Sequence, residues 1–542
     1  MAVSSACLMR RSSARSRRRA WDDVADKRHS EQRHRLDDPS RSGTVQQSAS
    51  TSASAPSALG DDLQPFGNVL LATLAVREPL PGAWDTVMSA STHECTTFLE
   101  RYKEMVDLAP FALHLPPLTL DELLSSSPVL LLAAILTGSS ADPDFEKQAG
   151  EVFRHVLADR VIVKGQKSME LFQGLLTYVL WYHHRFDPVT LQFYQLLQLA
   201  NGMVADLGLP RRLARDRSFT VRGDEDVNTI RAFLLCYYLN CGGGVLGYDR
   251  PENMRCIESL RNAAKLLVDI SPRPLDKEAP ALVELMHLVS LHRGDGNPSE
   301  HYIRPSQGLD EWKTAYLRPE SPATMKSSYH FVAAYSVLKS SSPKSMSAED
   351  VRLSVQHFEA LLSNILNQGL CYLVQLGIIE WAHLITTLFL LARLERHNMY
   401  DPSRADSPSL TPYHVGRFRA LMADFAAQTE PALMSLKTPH LLDWLDKILT
   451  AVTRQASVAG TAQEPPLNSG ESSHGHDHDR DHQHESAYEL VNSFIDDKGH
   501  VRDLDERTSA VERSHVEQHQ HEQQQREAED FWTDFMSDWL NW

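Results

Sequence analysis

From about residue 65 to residue 458 the chain repeats one pattern: apolar side chains return every three or four positions, and Pro, Gly and Ser separate the runs. At 3.6 residues per turn such positions share one helix face, whereas a half-buried strand needs strict alternation. Phe145, Ala149, Val152, Phe153, Val156 and Leu157 form one stripe, and Phe172, Leu175, Leu176, Val179 and Leu180 another. Asp187-Pro188 reads as a helix start followed by Leu191, Tyr194, Gln195, Gln198 and Leu199. Ile230, Phe233, Leu234, Tyr237 and Tyr238 repeat the pattern, as do Val351, Val355, Phe358, Leu362, Ile365 and Leu366. No series of alternating, β-branched strands accompanies them. The expected fold is therefore all-α, a multi-helix domain over residues 61–458. The apolar stretch Leu370 to Leu394 holds Gln375, Glu380, His383 and Arg393, too many polar groups for a membrane span of about 20 residues, and reads as a core helix. Glu300 to Pro343, richer in polar residues and prolines, reads as a long surface connection. No fixed repeat of solenoid length is evident.

The flanks differ from this body in charge and in apolar content. The net charge of −17 is unevenly spread. Residues 1–60 hold eleven Lys/Arg against six Asp/Glu, and residues 471–542 hold six against nineteen. With so little to bury, residues 1–60 are expected to be a disordered basic Ser/Arg-rich arm and residues 459–528 a disordered His/Asp/Gln-rich linker. Six cysteines, at positions 7, 95, 236, 241, 256 and 371, are too scattered for a disulfide framework. The first residues also lack the apolar run of a signal peptide, so an intracellular location is expected.

Candidate catalytic motifs fail on context. The glycine run from Gly242 to Gly247 satisfies G-x-G-x-x-G, but a helix leads into it where a dinucleotide fold needs a strand, so it reads as a turn between helices. Asp22, Asp23 and Asp26 match DDxxD, the pattern of an all-α diphosphate-dependent cyclase, yet they lie in the Arg-rich arm and no second magnesium motif follows. That enzyme remains a remote alternative. His474, His476, His478, His482 and His484 alternate with acids as a solvated tract able to bind metal only adventitiously. Cys236, Cys241 and Cys256 lack the paired spacing of structural zinc sites and read as buried thiols. No HExxH, GxSxG or GxxxxGK[ST] sequence occurs. The expectation is a protein that is not an enzyme, with no catalytic residue, cofactor or resident metal.

Two terminal features point to interaction. Arg10, Arg11, Arg15, Arg17, Arg18 and Arg19 put six guanidinium groups in ten residues with no acid among them, suited to a nuclear import receptor or to phosphate contacts. Residues 529–542, taken as a helix, align Phe531, Trp532, Phe535, Met536, Trp539 and Leu540 in a stripe beside Asp530, Asp534 and Asp538, with Trp542 beyond. Such a segment suits a partner's groove, its ordering cost being met on binding.

The helical runs also resemble, in content and order, the middle homology region of fungal zinc-cluster transcription factors. The resemblance rests on PVLLLAAI (128–135), KSMELFQGLLTYVLWYH (167–183), YQLLQLANGMVADLGL (194–209), RAFLLCYYL (231–239) and LGYDRP (246–251). Its motif residues here are Arg231, Tyr237, Tyr238, Leu246, Arg250 and Pro251. It implies a nuclear transcription regulator with a helical regulatory domain, expected to be a pathway-specific activator such as one of a specialised-metabolite gene cluster. Residues 529–542 would be the activation segment that engages the transcription machinery or a coactivator. The family reads DNA with two C-x₂-C-x₆-C runs holding zinc, and no cysteine here has that spacing, so no zinc ligand is carried over. DNA contact would then come through a DNA-bound partner, through phosphate contacts of the arm, or through a reader preceding the present first residue. The alternative is a co-regulator or interaction scaffold that does not bind DNA. A homo- or heterodimer is compatible with either, and no membrane partner is expected.

Overall fold

A helix with a single hydroxyl among eleven residues has no polar face to offer to water. Residues 128–138 form such a helix, and all eleven of them are buried. The computed structural model describes residues 65–75, 84–185, 191–214, 223–243, 254–291, 305–340, 347–396, 410–428 and 440–459. Among the described residues every regular element is a helix, and all of them belong to one compact unit that begins at Gln64. The first four are α1 (Phe66–Leu74), α2 (Asp85–Met88), α3 (Thr92–Val106) and α4 (Leu120–Ser126). Then come the fully buried α5 (Pro128–Gly138), α6 (Pro143–Leu157), α7 (Met169–Leu180), α8 (Phe193–Asp206), α9 (Leu209–Ala214) and α10 (Asp224–Gly243). They are followed by α11 (Glu258–Ile270), α12 (Ala279–Leu291), α13 (Pro305–Tyr316), α14 (Ala323–Ser340) and α15 (Ala348–Leu366). The last four are α16 (Leu370–Gln375), α17 (Ile378–Arg396), α18 (Leu410–Gln428) and α19 (His440–Ala459).

Local sequence sets several of the starts. Ser91, Thr119 and Ser347 cap α3, α4 and α15, and the acid three residues on reaches back to each cap. Tertiary packing then follows from which helices are apolar all round. α5 is covered by α1, α3, α4, α6 and α7, and α10 by α7, α8, α11, α12 and α17. α17 is covered in turn by α10, α14, α15, α18 and α19. Through α7, which touches α5, α8, α10 and α17, these helices form one continuous interior. Close crossings depend on glycine. A Cβ on Gly138 of α5 would lie 1.8 Å from the carbonyl oxygen of Phe98 in α3, and one on Gly242 of α10 would lie 2.6 Å from Ile379 of α17.

The stripes expected on α6 and α15 are buried as read. Four readings need correction. Glu300–Pro343 is not a surface connection: it holds α13 and α14, with Leu309, Trp312, Met325, Phe331 and Val332 buried. The buried face of α14 is interleaved with small hydroxyl residues, Ser327, Ser328 and Ser336, which mask the period; Ser327 accepts a hydrogen bond from Asn364 at 2.7 Å. In α8 the inward face is Phe193, Leu196, Leu197 and Ala200, whereas Gln195 and Gln198 are exposed; Asp187-Pro188 lies outside the described residues. α10 is buried all round, not on one stripe, since Ala232, Leu235, Cys236 and Leu239 are inaccessible too. The stretch from Leu370 is two helices, α16 and α17, parted at Leu376-Gly377. No described helix is long and apolar enough to cross a membrane.

The interior contains ionisable groups that burial keeps neutral. His383 of α17 is 2% exposed, makes no hydrogen bond, and stacks on Phe331 of α14 with ring centroids 4.0 Å apart. Burial depresses its pKa from 6.5 to about 3. The folded chain thus resists a proton that the unfolded chain accepts, so stability is fully present above pH 6.5 and declines as the pH falls toward 3.

Two tests follow. Gly138→Ala should force α3 from α5 and lower stability by about 2 kcal/mol or more, read by urea unfolding. His383→Phe should flatten the acid limb of a melting profile. Its stability relative to the parent should rise by about 1.4 kcal/mol per pH unit between pH 6 and 4, and a constant offset across that range would contradict the burial account.

Candidate functional site

Arg231 lies in the first half of α10, where neighbouring side chains are apolar and water is excluded. A guanidinium there needs an anion and acceptors for its remaining N–H groups. Asp276, fully buried in the short 3₁₀ turn Pro274–Glu278 after α11, supplies the anion: its Oδ2 accepts from Arg231 Nε at 2.9 Å and Nη2 at 2.7 Å. Arg231 Nη2 also donates to Ser271 Oγ at 3.1 Å and Nη1 to Asn228 Oδ1 at 3.1 Å, while Ser271 donates to the same carboxylate oxygen at 2.6 Å. Arg273 joins from the other side, with Nη1 3.7 Å from Asp276 Oδ1, and burial lowers its pKa to about 10. Two guanidinium groups therefore share one buried carboxylate.

The network holds the segment that follows α3. Arg273 Nη2 donates to the carbonyls of Val106 and, at 3.0 Å, Ala109. Asn228 Nδ2 donates to the His114 carbonyl at 2.7 Å, and the Tyr102 hydroxyl donates to that of Leu113. Within this segment Phe111 has φ +58°, a left-handed conformation that costs a non-glycine residue about 1–2 kcal/mol. Its ring is buried edge-on to Tyr238, two turns along α10 from Arg231, at 5.8 Å between centroids. Tyr238 in turn donates to Glu380 Oε1 of α17 at 2.6 Å; both groups are inaccessible, and burial raises the pKa of each. One side of α10 thus joins the segment 107–114, the Pro274–Glu278 turn and the start of α17.

From His114, where the held segment ends, residues 114–118 with Leu120 and Leu123 of α4 form one wall of a cleft of about 390 Å³. Thr96, Leu99, Lys103 and Val106 of α3 form the facing wall, and His114 and Leu118 lie on the segment side. Leu118 is 42% exposed. Burial, then the Arg273 and Arg231 charges, lower the His114 pKa to about 4, so its imidazole is neutral at pH 7.

Of the residues singled out in sequence, Arg231 and Tyr238 meet at this site, and Tyr237 is buried in the same helix. Leu246, Arg250 and Pro251 lie outside the described residues, as do Asp22, Asp23 and Asp26, the six arginines of the arm, the histidine tract and the whole of 529–542. The glycine run begins as the last turn of α10, where Gly242 meets Ile379 and Gly243 meets Phe193, while residues 244–247 lie outside the description. Cys236 and Cys241 are inaccessible and Cys256 is half-buried; burial pushes the Cys236 thiol up to about 12. Cys236 Sγ donates to Asn201 Oδ1 at 3.4 Å. Among the described residues no three His, Cys, Asp or Glu side chains converge to hold a metal ion. Sequence reasoning missed Asp276, Ser271, Arg273 and Glu380. The signal available for them was a charge placed in an apolar helix, which demands a partner without saying where it lies.

No family model, curated protein or solved structure matches the chain.

Arg231→Met should cost about 3–5 kcal/mol by leaving Asp276 only the more distant Arg273 guanidinium, whereas Arg231→Met combined with Asp276→Leu should recover part of that loss, Arg273 then being without its carboxylate. Urea titrations of both variants read the difference. An equal loss in the double variant would mean that the guanidinium acts by filling space and not by neutralising the carboxylate.

Proposed function

We propose that the protein is a nuclear transcription regulator of fungal type. In this reading it is a pathway-specific activator, and a role in a specialised-metabolite gene cluster fits the resemblance. The observation that carries the reading is spatial. The sequence runs that resemble the middle homology region are α5, α7, α8 and α10, and they pack as one unit: α5 on α7, α7 on α8 and α10, and α8 on α10. Arg231 and Tyr238 from the same set of motif residues hold that unit to its neighbours. Residues 529–542 would engage a coactivator through Phe531, Trp532, Phe535, Met536, Trp539, Leu540 and Trp542, and Arg10 to Arg19 would serve import.

A second reading, a co-regulator that reaches DNA through another protein, is favoured by the cysteines. Cys95, Cys236 and Cys241 are buried within α3 and α10, where they stabilise an interior and offer no paired thiolates to zinc. The body then contributes protein contacts, and the basic arm contributes import or phosphate contacts.

Fusing the intact chain to an unrelated DNA-binding domain should activate a reporter. Phe531→Ala, Trp532→Ala, Phe535→Ala and Trp539→Ala together should lower that signal by about tenfold or more, since each aromatic anchor in a partner's groove is worth over about 1 kcal/mol. Undiminished activation would remove 529–542 from the mechanism. Chromatin immunoprecipitation of the unfused chain, with and without Arg17→Ala, Arg18→Ala and Arg19→Ala, then tests whether it is found at discrete genomic sites.

A further inference from the structure

We infer that the cleft between α3 and the segment 114–118 is a binding site for a small amphipathic anion: a slender apolar body carrying one carboxylate or similar head. Three features support this. The first is shape. Thr96, Leu99, Lys103 and Val106 lie along one stripe of α3, and the ten residue steps from Thr96 to Val106 correspond to a length of about 15 Å. A volume of about 390 Å³ lies within the range of small-molecule sites.

The second is chemistry. The walls are mainly leucine, valine and proline, and the polar groups are few: Thr96, Lys103, His114 and the already committed hydroxyl of Tyr102. An apolar trough with few polar groups recognises a ligand with one polar end.

The third is the sign of the local field. The C-terminus of a helix ordinarily repels anions, because its last carbonyls are unpaired. Here Arg273 donates to the Val106 and Ala109 carbonyls and covers them. Four fixed charges act on His114: Arg273 and Arg231 against Asp107 and Asp276. Both guanidinium groups are buried, whereas Asp107 is 68% exposed, where solvent screens it. Lys103 on the facing wall is the one charged side chain among the lining residues, so the lining offers a head group a cation and no carboxylate. His114 lines the same end as a neutral imidazole, its buried Nε2 turned to the exposed Asp107 carboxylate at 3.9 Å.

Decanoate, decylammonium and decan-1-ol, titrated below their aggregation limits into the intact protein, separate these contributions. Calorimetry should show saturable one-to-one binding of decanoate, and decylammonium should bind at least about tenfold more weakly. Lys103→Glu, a change at an exposed position, should cut decanoate affinity about tenfold and leave decan-1-ol unchanged. Leu99→Trp, which fills the trough, should abolish binding of all three; circular dichroism checks that it folds, and Lys103→Glu carries the test if it does not. Absence of saturable decanoate binding, equal affinity for decylammonium, or indifference to Lys103→Glu would overturn the inference. Binding is read directly, so its failure is separate from any failure of transcriptional activation.

Discussion

Helices that are apolar on every side must be covered on every side, and this requirement organises the molecule. α5 exposes nothing, and α7, α10 and α17 are nearly as dry, so each must be ringed by other helices. The amphipathic helices α3, α6, α8, α11 and α15 supply those coats, presenting one apolar face inward and a polar face to solvent. Contact distances within the interior are short because glycine stands where backbones or bulky side chains meet, at Gly138 and Gly242. Close packing at these crossings leaves no slack, which is why one methyl group there is expected to be felt across two helices.

Into this dry interior α10 brings polar groups that apolar packing cannot satisfy. Arg231 and Asn228 find partners on the Pro274–Glu278 turn, on Ser271 and on the carbonyl of His114, while Tyr238 reaches Glu380. Each interaction is between residues far apart in the chain, so together they fix how distant segments register. The left-handed Phe111 has a physical rationale in this setting: hydrogen bonds from Arg273, Asn228 and Tyr102 on either side of it hold a backbone conformation that would otherwise relax. Of these groups Tyr102 also lines the cleft, and His114, whose carbonyl Asn228 holds, stands at its edge.

Much of this was legible in the sequence. Helical class follows from period alone, and the inward faces of α6 and α15 are those the stripes indicate, because local geometry dictates which side chains share a face. Legibility failed where the period was masked. In α14 the serines on the buried face are polar by type yet small enough to pack, so the segment reads as surface. In α8 apolar and polar residues are spread around the helix, and only its neighbours α7 and α10 decide which face turns inward.

What the sequence by itself determined is therefore local: an all-helical body, its helix starts at capping residues, the charge asymmetry of its ends, and the presence of an arginine that could not remain unpaired. Only the tertiary structure decided which carboxylate meets Arg231, which helix receives the Tyr238 hydroxyl, and that α3, residues 114–118 and the start of α4 enclose a cleft with Lys103 in its lining. The physical reason is range. Period, capping and composition act over a few residues, whereas the pairing of a buried charge is settled by burial and geometry across 45 residues, and that of Tyr238 with Glu380 across 142.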